Sequence, residues 1–553
     1  MKIKLLFVFF ILLYVAILMK LFYVQVISRK FKDLNLYLKT EKLGAERGRI
    51  FDSNGNPLAL NQNSYLLYIE PKKITDKFKL IHELADKLKM DESSLSAMID
   101  DTKVYQSIKS GLTENVKDDI QKLELKGIGF NYEMKRYYPE ASLSAHVLGF
   151  VGKSQDSEDI GYFGLEGYYD KDLKGLPGLF ETERDINGKP IFIGTQNRTS
   201  AENGRDLFLT IDKSVEEIAK RQLLAGIERY KAKSGCVIIA NPNTMAILAL
   251  SCLPDYDLDK YYKFTQDFFT DPAITDVVEP GSIFKPLVMA AALNEGKIRP
   301  DDEMDETGQV KIGSYSIKTW DDTYEGVISM TRILEKSSNV GMVYIGDKLG
   351  NVNLYNYLKK FGLGEITGID LQGESSGYLR PKNSWYPIDY ATATFGQGLA
   401  ITPIQMIRAF ASLINGGNLM RPYVVAKMIS SSGKETNISP KVERKVISPL
   451  TSEIIKKMLV STVEHAEVKW DRPKGYQIGG KTGTAQIAIS GYYDPSKTIA
   501  SFIGFAPANK PKFITLVMLK EPGTSIWGSE TAAPIFFNIA KELIVYYNIA
   551  PEQ

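Results

Sequence analysis

Glu279-Pro280-Gly281-Ser282-Ile283-Phe284-Lys285-Pro286, running on through the apolar stretch from Leu287 to Gly296, is the segment from which the rest of the chain can be read. Proline is tolerated only near a helix start, and glycine is favoured just past a helix end. Pro286 and Gly296 therefore bracket a helix whose first turn holds Ser282. The body between them is apolar all round, which predicts a buried helix. Ser282 and Lys285 stand three residues apart and share one face of it. A serine hydroxyl is a weak nucleophile at neutral pH unless a base stands beside it. A lysine fills that role only when burial or nearby positive charge lowers its pKa. A buried helix start supplies the low dielectric, and its positive dipole end favours a developing alkoxide.

The same spacing recurs in Ser431-Ser432-Gly433-Lys434, in a polar loop that opens no apolar helix. That copy reads as a solvated turn. Two other segments join the first. Ser337-Ser338-Asn339 lies between Ile333-Leu334-Glu335-Lys336 and Val340-Gly341-Met342-Val343, so a loop between helices aims Ser337 and Asn339 into one cleft. The hydroxyl relays a proton and the carboxamide both donates and accepts; taken singly, the pair reads better as a helix cap. In Gly479-Gly480-Lys481-Thr482-Gly483-Thr484 the glycines let another backbone approach a short strand. Lys481, Thr482 and Thr484 then form a carboxylate seat, and the Thr484 N–H pairs with that of Ser282 as an oxyanion hole. Alone, this segment is an ordinary glycine-rich strand edge. All three, in this order on one chain, point to acyl transfer through Ser282.

Other chemistries are disfavoured by composition. Lys and Arg number 68 against 66 Asp and Glu, a net charge of +2; nucleic-acid binders carry a basic excess or a basic run, and neither is present. His82, His146 and His465 are the only histidines, Cys236 and Cys252 the only cysteines, and none sit at metal-ligand spacing. No metal, no cofactor and no histidine triad is expected. The cysteines fall on two strands, Cys236 to Ala240 and Ala246 to Leu250, joined by a turn. With Asn241 opposite Ala246, Cys236 falls opposite Ser251 and Cys252 faces away, so no disulfide is expected.

Residues 5–27 are apolar except Lys20 and Gln25. At about 1.5 Å per residue they cross a hydrocarbon core of about 30 Å. No small-residue cleavage site follows, so an uncleaved anchor is expected after a short cytoplasmic tail at 1–4. Lys2 and Lys4 on one side balance Arg29, Lys30 and Lys32 on the other; a domain this long crosses regardless of local charge, and it is placed outside. Residues 28–200 carry turn signals (Asp52-Ser53-Asn54-Gly55, Pro177-Gly178) and a helix-like run from Phe78 to Met90, with no chemical cluster. The polar stretch from Gly194 to Arg205 marks a boundary to a second domain, 205–553. There, a strand at Leu207 to Ile211, a helix at Ser214 to Lys231 and the hairpin-linked strands argue for an α+β fold, an antiparallel sheet flanked by helices.

The set Ser282-x-x-Lys285, Ser337-x-Asn339 and Lys481-Thr482-Gly483 resembles the penicillin-interacting serine enzymes, that is, penicillin-binding proteins and serine β-lactamases. Arg47-Gly48-Arg49-Ile50-Phe51-Asp52, Gly164-Leu165-Glu166-Gly167 and Leu209-Thr210-Ile211-Asp212 resemble the pedestal and lead-in segments of class B penicillin-binding proteins. Val277 to Ser282, Lys336 to Gly341, Thr394-Phe395-Gly396-Gln397-Gly398 and Ser501 to Pro507 look most like the septal, FtsI-type cell-division transpeptidases. Asn339, where elongation-type relatives often carry Asp, agrees. Ser53 replaces a usual Arg of the pedestal motif and Met245 a usual Gly of the hairpin turn.

The resemblance implies a transpeptidase domain of the penicillin-binding/serine β-lactamase type on an elongated, dimerisation-type pedestal with one transmembrane helix. It implies that Ser282 attacks the penultimate D-alanine carbonyl of a peptidoglycan stem peptide, Lys285 shuttles the proton, and Ser337 relays it to the leaving amine. Asn339 holds the donor amide, Lys481, Thr482 and Thr484 bind the terminal carboxylate, and Gly483 belongs to the same substrate-binding segment. Donor and acceptor stem peptides, β-lactams, an FtsW-type lipid II polymerase and other division proteins are the implied partners, at the bacterial cytoplasmic membrane. An elongation- or sporulation-type transpeptidase is the alternative; a D,D-carboxypeptidase or a non-catalytic β-lactam-binding relative is less favoured.

Overall fold

The computed structural model describes residues 2–23, 38–156, 158–183, 196–489 and 492–552. The chain forms two compact units, Met1–Arg47 with Lys174–Gly204, and Gly48–Leu173 with Arg205–Gln553. In the first, Lys2–Phe22 is one helix, whose span Ile3–Phe22 is long and apolar enough to cross a membrane and is not buried in protein. The helix starts ahead of the expected Leu5, because nothing in Lys2-Ile3-Lys4 breaks it; residues 24–27 of the expected span lie outside the described residues. Leu38–Leu43, Gly178–Glu183 and Gln196–Thr199 complete this unit as a three-stranded antiparallel sheet.

In the second unit the long strand Pro57–Ile69 pairs with Gln106–Leu112 and Ile128–Tyr137. Helices Lys77–Leu88, Glu92–Met98 and Glu114–Gln121 bury Leu80, Leu84, Leu95 and Ile120 against Leu67 and Ile69 of that strand. Asp76, Asp91 and Thr113 start these helices by accepting N–H bonds from Lys79, Ser94 and Val116. The expected run from Phe78 to Met90 is the first of them. At its other end Pro57–Ile69 pairs with Ile50–Phe51, which lies parallel beside Asp206–Leu209. One sheet thus carries the pedestal into the later domain, continued by Val425–Ile429 and Glu435–Asn437. The Arg49 side chain grips Asp206 with two N–H bonds of 2.6 and 3.1 Å, its backbone N–H adds a third at 2.6 Å, and Phe51 stacks on Phe208 at 4.9 Å.

A five-stranded antiparallel sheet forms the centre, in the order Ile247–Leu253, Ser234–Ala240, Phe513–Lys520, Tyr492–Ala506, Gly479–Ile489. Side chains alternate faces along a strand. Val237, Ile239, Phe502 and Val517 meet helices Lys213–Tyr230 and Ala532–Tyr546 on one side. Ile238, Leu250, Ile503 and Leu516 meet helices Lys285–Asn294 and Pro403–Ile414 on the other. Helix Lys285–Asn294 carries Pro286 in its first turn. It ends as expected: Gly296, at φ +62°, and Lys297 donate to Leu293 O and Ala292 O, the two bonds of a Schellman stop. Leu287, Val288 and Met289 within it are fully buried, so truncating any one to Ala costs about 2–5 kcal/mol.

The hairpin overturns one expectation. Asn241 N does donate to Ala246 O, at 2.9 Å, but the register slips between Ile239 and Ala240, leaving Leu248 as an extra residue. The bulge has a tertiary cause: the Leu248 carbonyl turns to accept the Asp212 N–H at 3.0 Å. The slip sets Cys236 opposite Cys252 rather than Ser251, with Cα atoms 4.1 Å apart, and the two form a disulfide. In the turn, Met245 keeps a left-handed φ of +56° and buries its side chain completely. A non-glycine residue so placed stores about 1–3 kcal/mol of strain.

Alkylation of the denatured, unreduced protein labels neither cysteine, and reduction exposes both. The cross-link closes a 16-residue separation, so replacing both cysteines by Ser lowers unfolding stability by about 2–4 kcal/mol, read from denaturant midpoints.

Candidate active site

The segment that carries Ser282 bends before it coils. Gly281–Phe284 is a tight 3₁₀ turn feeding directly into helix Lys285–Asn294. Gly281 makes the bend at φ +58°, and a Cβ there would stand 2.9 Å from the Thr484 carbonyl oxygen. Its N–H donates to Gly396 O at 3.1 Å. Across the junction Gly483 is equally constrained: a Cβ would lie 2.4 Å from Ser501 Oγ and 2.9 Å from Ile283 Cγ2. Glycine at both places brings Ser282 against strand Gly479–Ile489, the edge of the central sheet.

Lys285 points inward and is fully buried. Its Nζ donates to Ser337 O at 2.5 Å, Asn339 Oδ1 at 2.8 Å and Ser337 Oγ at 3.1 Å. Burial first, and the Lys481 ammonium second, hold its pKa well below the ordinary lysine value. A neutral amine keeps two N–H bonds, enough for the Ser337 carbonyl and the carboxamide oxygen. Its lone pair is then free for a hydroxyl.

Ser337 and Asn339 meet Lys285 because two helices nearly abut. Met330–Lys336 ends on Ser337 at φ +61°, and Asn339–Leu349 begins after Ser338, whose Oγ accepts the Gly341 N–H at 2.9 Å. Capping therefore falls to Ser338, which leaves its two neighbours for the cleft. Asn339 Nδ2 donates to Lys318 O at 3.1 Å, fixing the carboxamide.

Lys481 enters from the edge strand, buried, with Nζ 3.2 Å from Thr482 O and 3.3 Å from Thr482 Oγ1. Burial brings its pKa down to about 7. Thr484 Oγ1 accepts the Gly528 N–H at 3.1 Å. Two buried amines in one cleft disfavour each other's charge, so the site gains most from an anionic ligand. Ser282, Ser337, Asn339, Lys481, Thr482, Gly483 and Thr484 all line one cleft of about 280 Å³, and Lys285, fully buried, bonds to two of them, Ser337 and Asn339. The sequence control behaves otherwise: Ser431 to Lys434 is an exposed turn between Val425–Ile429 and Glu435–Asn437.

Trp320, Phe395, Gln397, Trp470 and Trp527 also line this cleft, and Trp320 meets Trp527 edge-on at 5.2 Å. Phe395 and Gln397 belong to the segment quoted above for its family resemblance; the three tryptophans drew no attention in the sequence. Trp320, Trp470 and Trp527 come from three separate segments with no common period, so only composition marks them: they are three of the four tryptophans in the chain.

The penicillin-binding protein transpeptidase domain family matches residues 235–541, and the penicillin-binding protein dimerisation domain family matches residues 42–209. The chain belongs to the class B penicillin-binding proteins. Over 516 residues it is 34% identical to stage V sporulation protein D of Bacillus subtilis, covering 92% of this chain and 79% of that one. Over 524 residues it is 31% identical to peptidoglycan D,D-transpeptidase FtsI of Escherichia coli, covering 93% and 86%. A peptidoglycan synthetase from Bifidobacterium adolescentis shares the fold with a TM-score of 0.75 at 28% identity, over 93% of this chain and 98% of that one.

In this penicillin-binding protein the lowered Lys481 pKa has a thermodynamic signature. Between about 7 and the ordinary 10.5 the unfolded chain holds a proton that the folded one has released, so stability rises with pH across that window. Lys481→Met removes the effect. Its advantage over the parent in urea unfolding is largest at neutral pH and shrinks as pH climbs towards 10.

Proposed function

We propose that this protein is a peptidoglycan D,D-transpeptidase that cross-links stem peptides through a Ser282 acyl-enzyme. The observation that carries the reading is the Lys285 amine, buried, its pKa lowered by that burial, and held by Ser337 and Asn339, which line one cleft with Ser282. Lys285 Nζ takes the Ser282 proton as Oγ attacks the penultimate D-alanine carbonyl. The Ser282 and Thr484 N–H groups stabilise the oxyanion. The tetrahedral intermediate collapses, the C–N bond breaks, and the proton passes by way of Ser337 to the departing terminal D-alanine.

Lys481, Thr482 and Thr484 hold that residue's carboxylate, and Gly483 provides the close backbone contact. Asn339 holds the donor amide. An acceptor amine from a neighbouring strand then attacks the ester and gives back the proton, forming the cross-link and freeing Ser282. No step calls for a metal or organic cofactor. β-Lactams imitate the donor and acylate the same oxygen.

Within this class we assign the protein to septal synthesis. The named relative FtsI supports it, as do Asn339 and the Thr394-Phe395-Gly396-Gln397-Gly398 segment. The sporulation relative, 34% identical, supports a second reading, wall synthesis in the developing spore. Single-pass anchoring by residues 5–27 after a 1–4 tail, a pedestal over 28–200, and a catalytic domain over 205–553 on the outer face of the cytoplasmic membrane complete the assignment. An FtsW-type lipid II polymerase and other division proteins are its partners.

Fluorescent penicillin labels the detergent-solubilised protein covalently. Ser282→Ala abolishes labelling, and Lys285→Ala slows it by about 10²–10⁴-fold. Labelling that survives the Ser282 substitution removes the acyl-enzyme from the account. A functional fluorescent fusion concentrates at mid-cell in vegetative cells; signal confined to sporulating cells selects the second reading.

A further inference from the structure

Ser338, between the two residues that hold Lys285, turns away from the cleft. It is fully buried, and its hydroxyl donates to Oε1 of Glu306, itself fully buried. The other oxygen of Glu306 accepts from Lys336 Nζ at 3.2 Å and from the Glu325 N–H at 3.3 Å. Lys336 Nζ also donates to Thr323 O at 2.8 Å and lies 3.9 Å from Glu325. One carboxylate therefore grips the residues on both sides of Ser337. Ser337 needs such a grip, because a non-glycine residue at φ +61° relaxes unless its surroundings over-determine it.

The grip comes from a semi-independent piece of the fold. Glu303–Glu306 pairs with Gly326–Ser329, and Val310–Ile312 with Tyr315–Ile317, as two-stranded sheets apart from the central one. The same segment supplies Lys318 O to Asn339 Nδ2, and Trp320 Nε1 to the Lys336 carbonyl at 3.2 Å. Both of these bonds end on the turn from Lys336 to Asn339.

We propose that Glu306 is a positioning residue for acylation: through Ser338 and Lys336 it fixes the Ser337 turn, and with it the direction from which the Lys285 amine meets the Ser282 hydroxyl. This rests on the Ser282 acyl-enzyme reading above. A plainer role, a buried ion pair that merely keeps the Glu303–Ser329 segment folded, makes a different forecast. It lowers the fraction of molecules able to label, or the melting temperature, but not the rate constant of those that do label.

The test uses the full chain in detergent, with fluorescent penicillin as the probe and thermal unfolding followed alongside. Glu306→Gln, Ser338→Ala and the double variant each slow the second-order acylation of the competent fraction by on the order of 10- to 100-fold. They displace its pH profile, and the two losses do not multiply in the double variant, because both cut one chain of contacts. A parental rate constant and pH profile in Glu306→Gln overturns the proposal, as does multiplicative loss in the double variant. If Glu306→Gln does not fold, Ser338→Ala decides by the same rate and profile. Labelling that persists in Ser282→Ala refutes instead the acyl-enzyme reading beneath it.

Discussion

A lysine side chain without solvent is costly, and the catalytic half of this protein is organised around tolerating one. An ammonium moved into a low-dielectric interior loses several kcal/mol even after relaxation, and the protein answers in two ways. It offers Lys285 Nζ three oxygens from a single turn, and it lets burial and a second lysine favour the neutral amine. That amine is useful only if the turn that holds it is stiff. The abutting helices, the Ser338 cap and the Glu306 contacts supply the stiffness. Glycines at 281 and 483 serve the same end from the other side, pressing the nucleophile turn onto the edge strand.

What could be read ahead of the structure was whatever local chemistry determines. Pro286 and Gly296 delimited the buried helix, and its end is the Schellman stop those residues favour. Ser337 and Asn339 were legible as a pair facing one cleft; that the helix cap falls to Ser338 between them emerged only from the structure. The decoy at Ser431 to Lys434 was separable by its polar surroundings. The strand register was not legible, since the Leu248 bulge exists to satisfy Asp212, a partner that arrives from outside the hairpin. A period-two pattern carries no sign of such an insertion. The tryptophans of the cleft and the Glu306 network stayed hidden for the same reason: each is placed by contacts distant in sequence.

Residues 48–173 are woven into one unit with the later domain. Ile50–Phe51 lies between Asp206–Leu209 and Pro57–Ile69 in one sheet, and Arg49 and Phe51 fasten the join. The buried Arg136–Glu166 pair at 2.7 Å holds the Gly164 to Gly167 segment against the strand Ile128–Tyr137. Tyr169 follows with a hydroxyl bond to Asp370, whose carboxylate also takes the Val424 and Val425 N–H groups. Segments that resemble family signatures without carrying chemistry are, in this chain, the ones that stitch its parts together.

The cross-strand cysteines gain a meaning from the bulge beside them. Without the extra residue at Leu248 the two sulfurs project to opposite faces of the hairpin and no oxidant can join them. Covalent closure is therefore reserved for chains whose pairing has already settled in this register. The hairpin thus couples cross-linking to register: the bond that pins the two strands forms only in the alignment that also satisfies the Asp212 N–H.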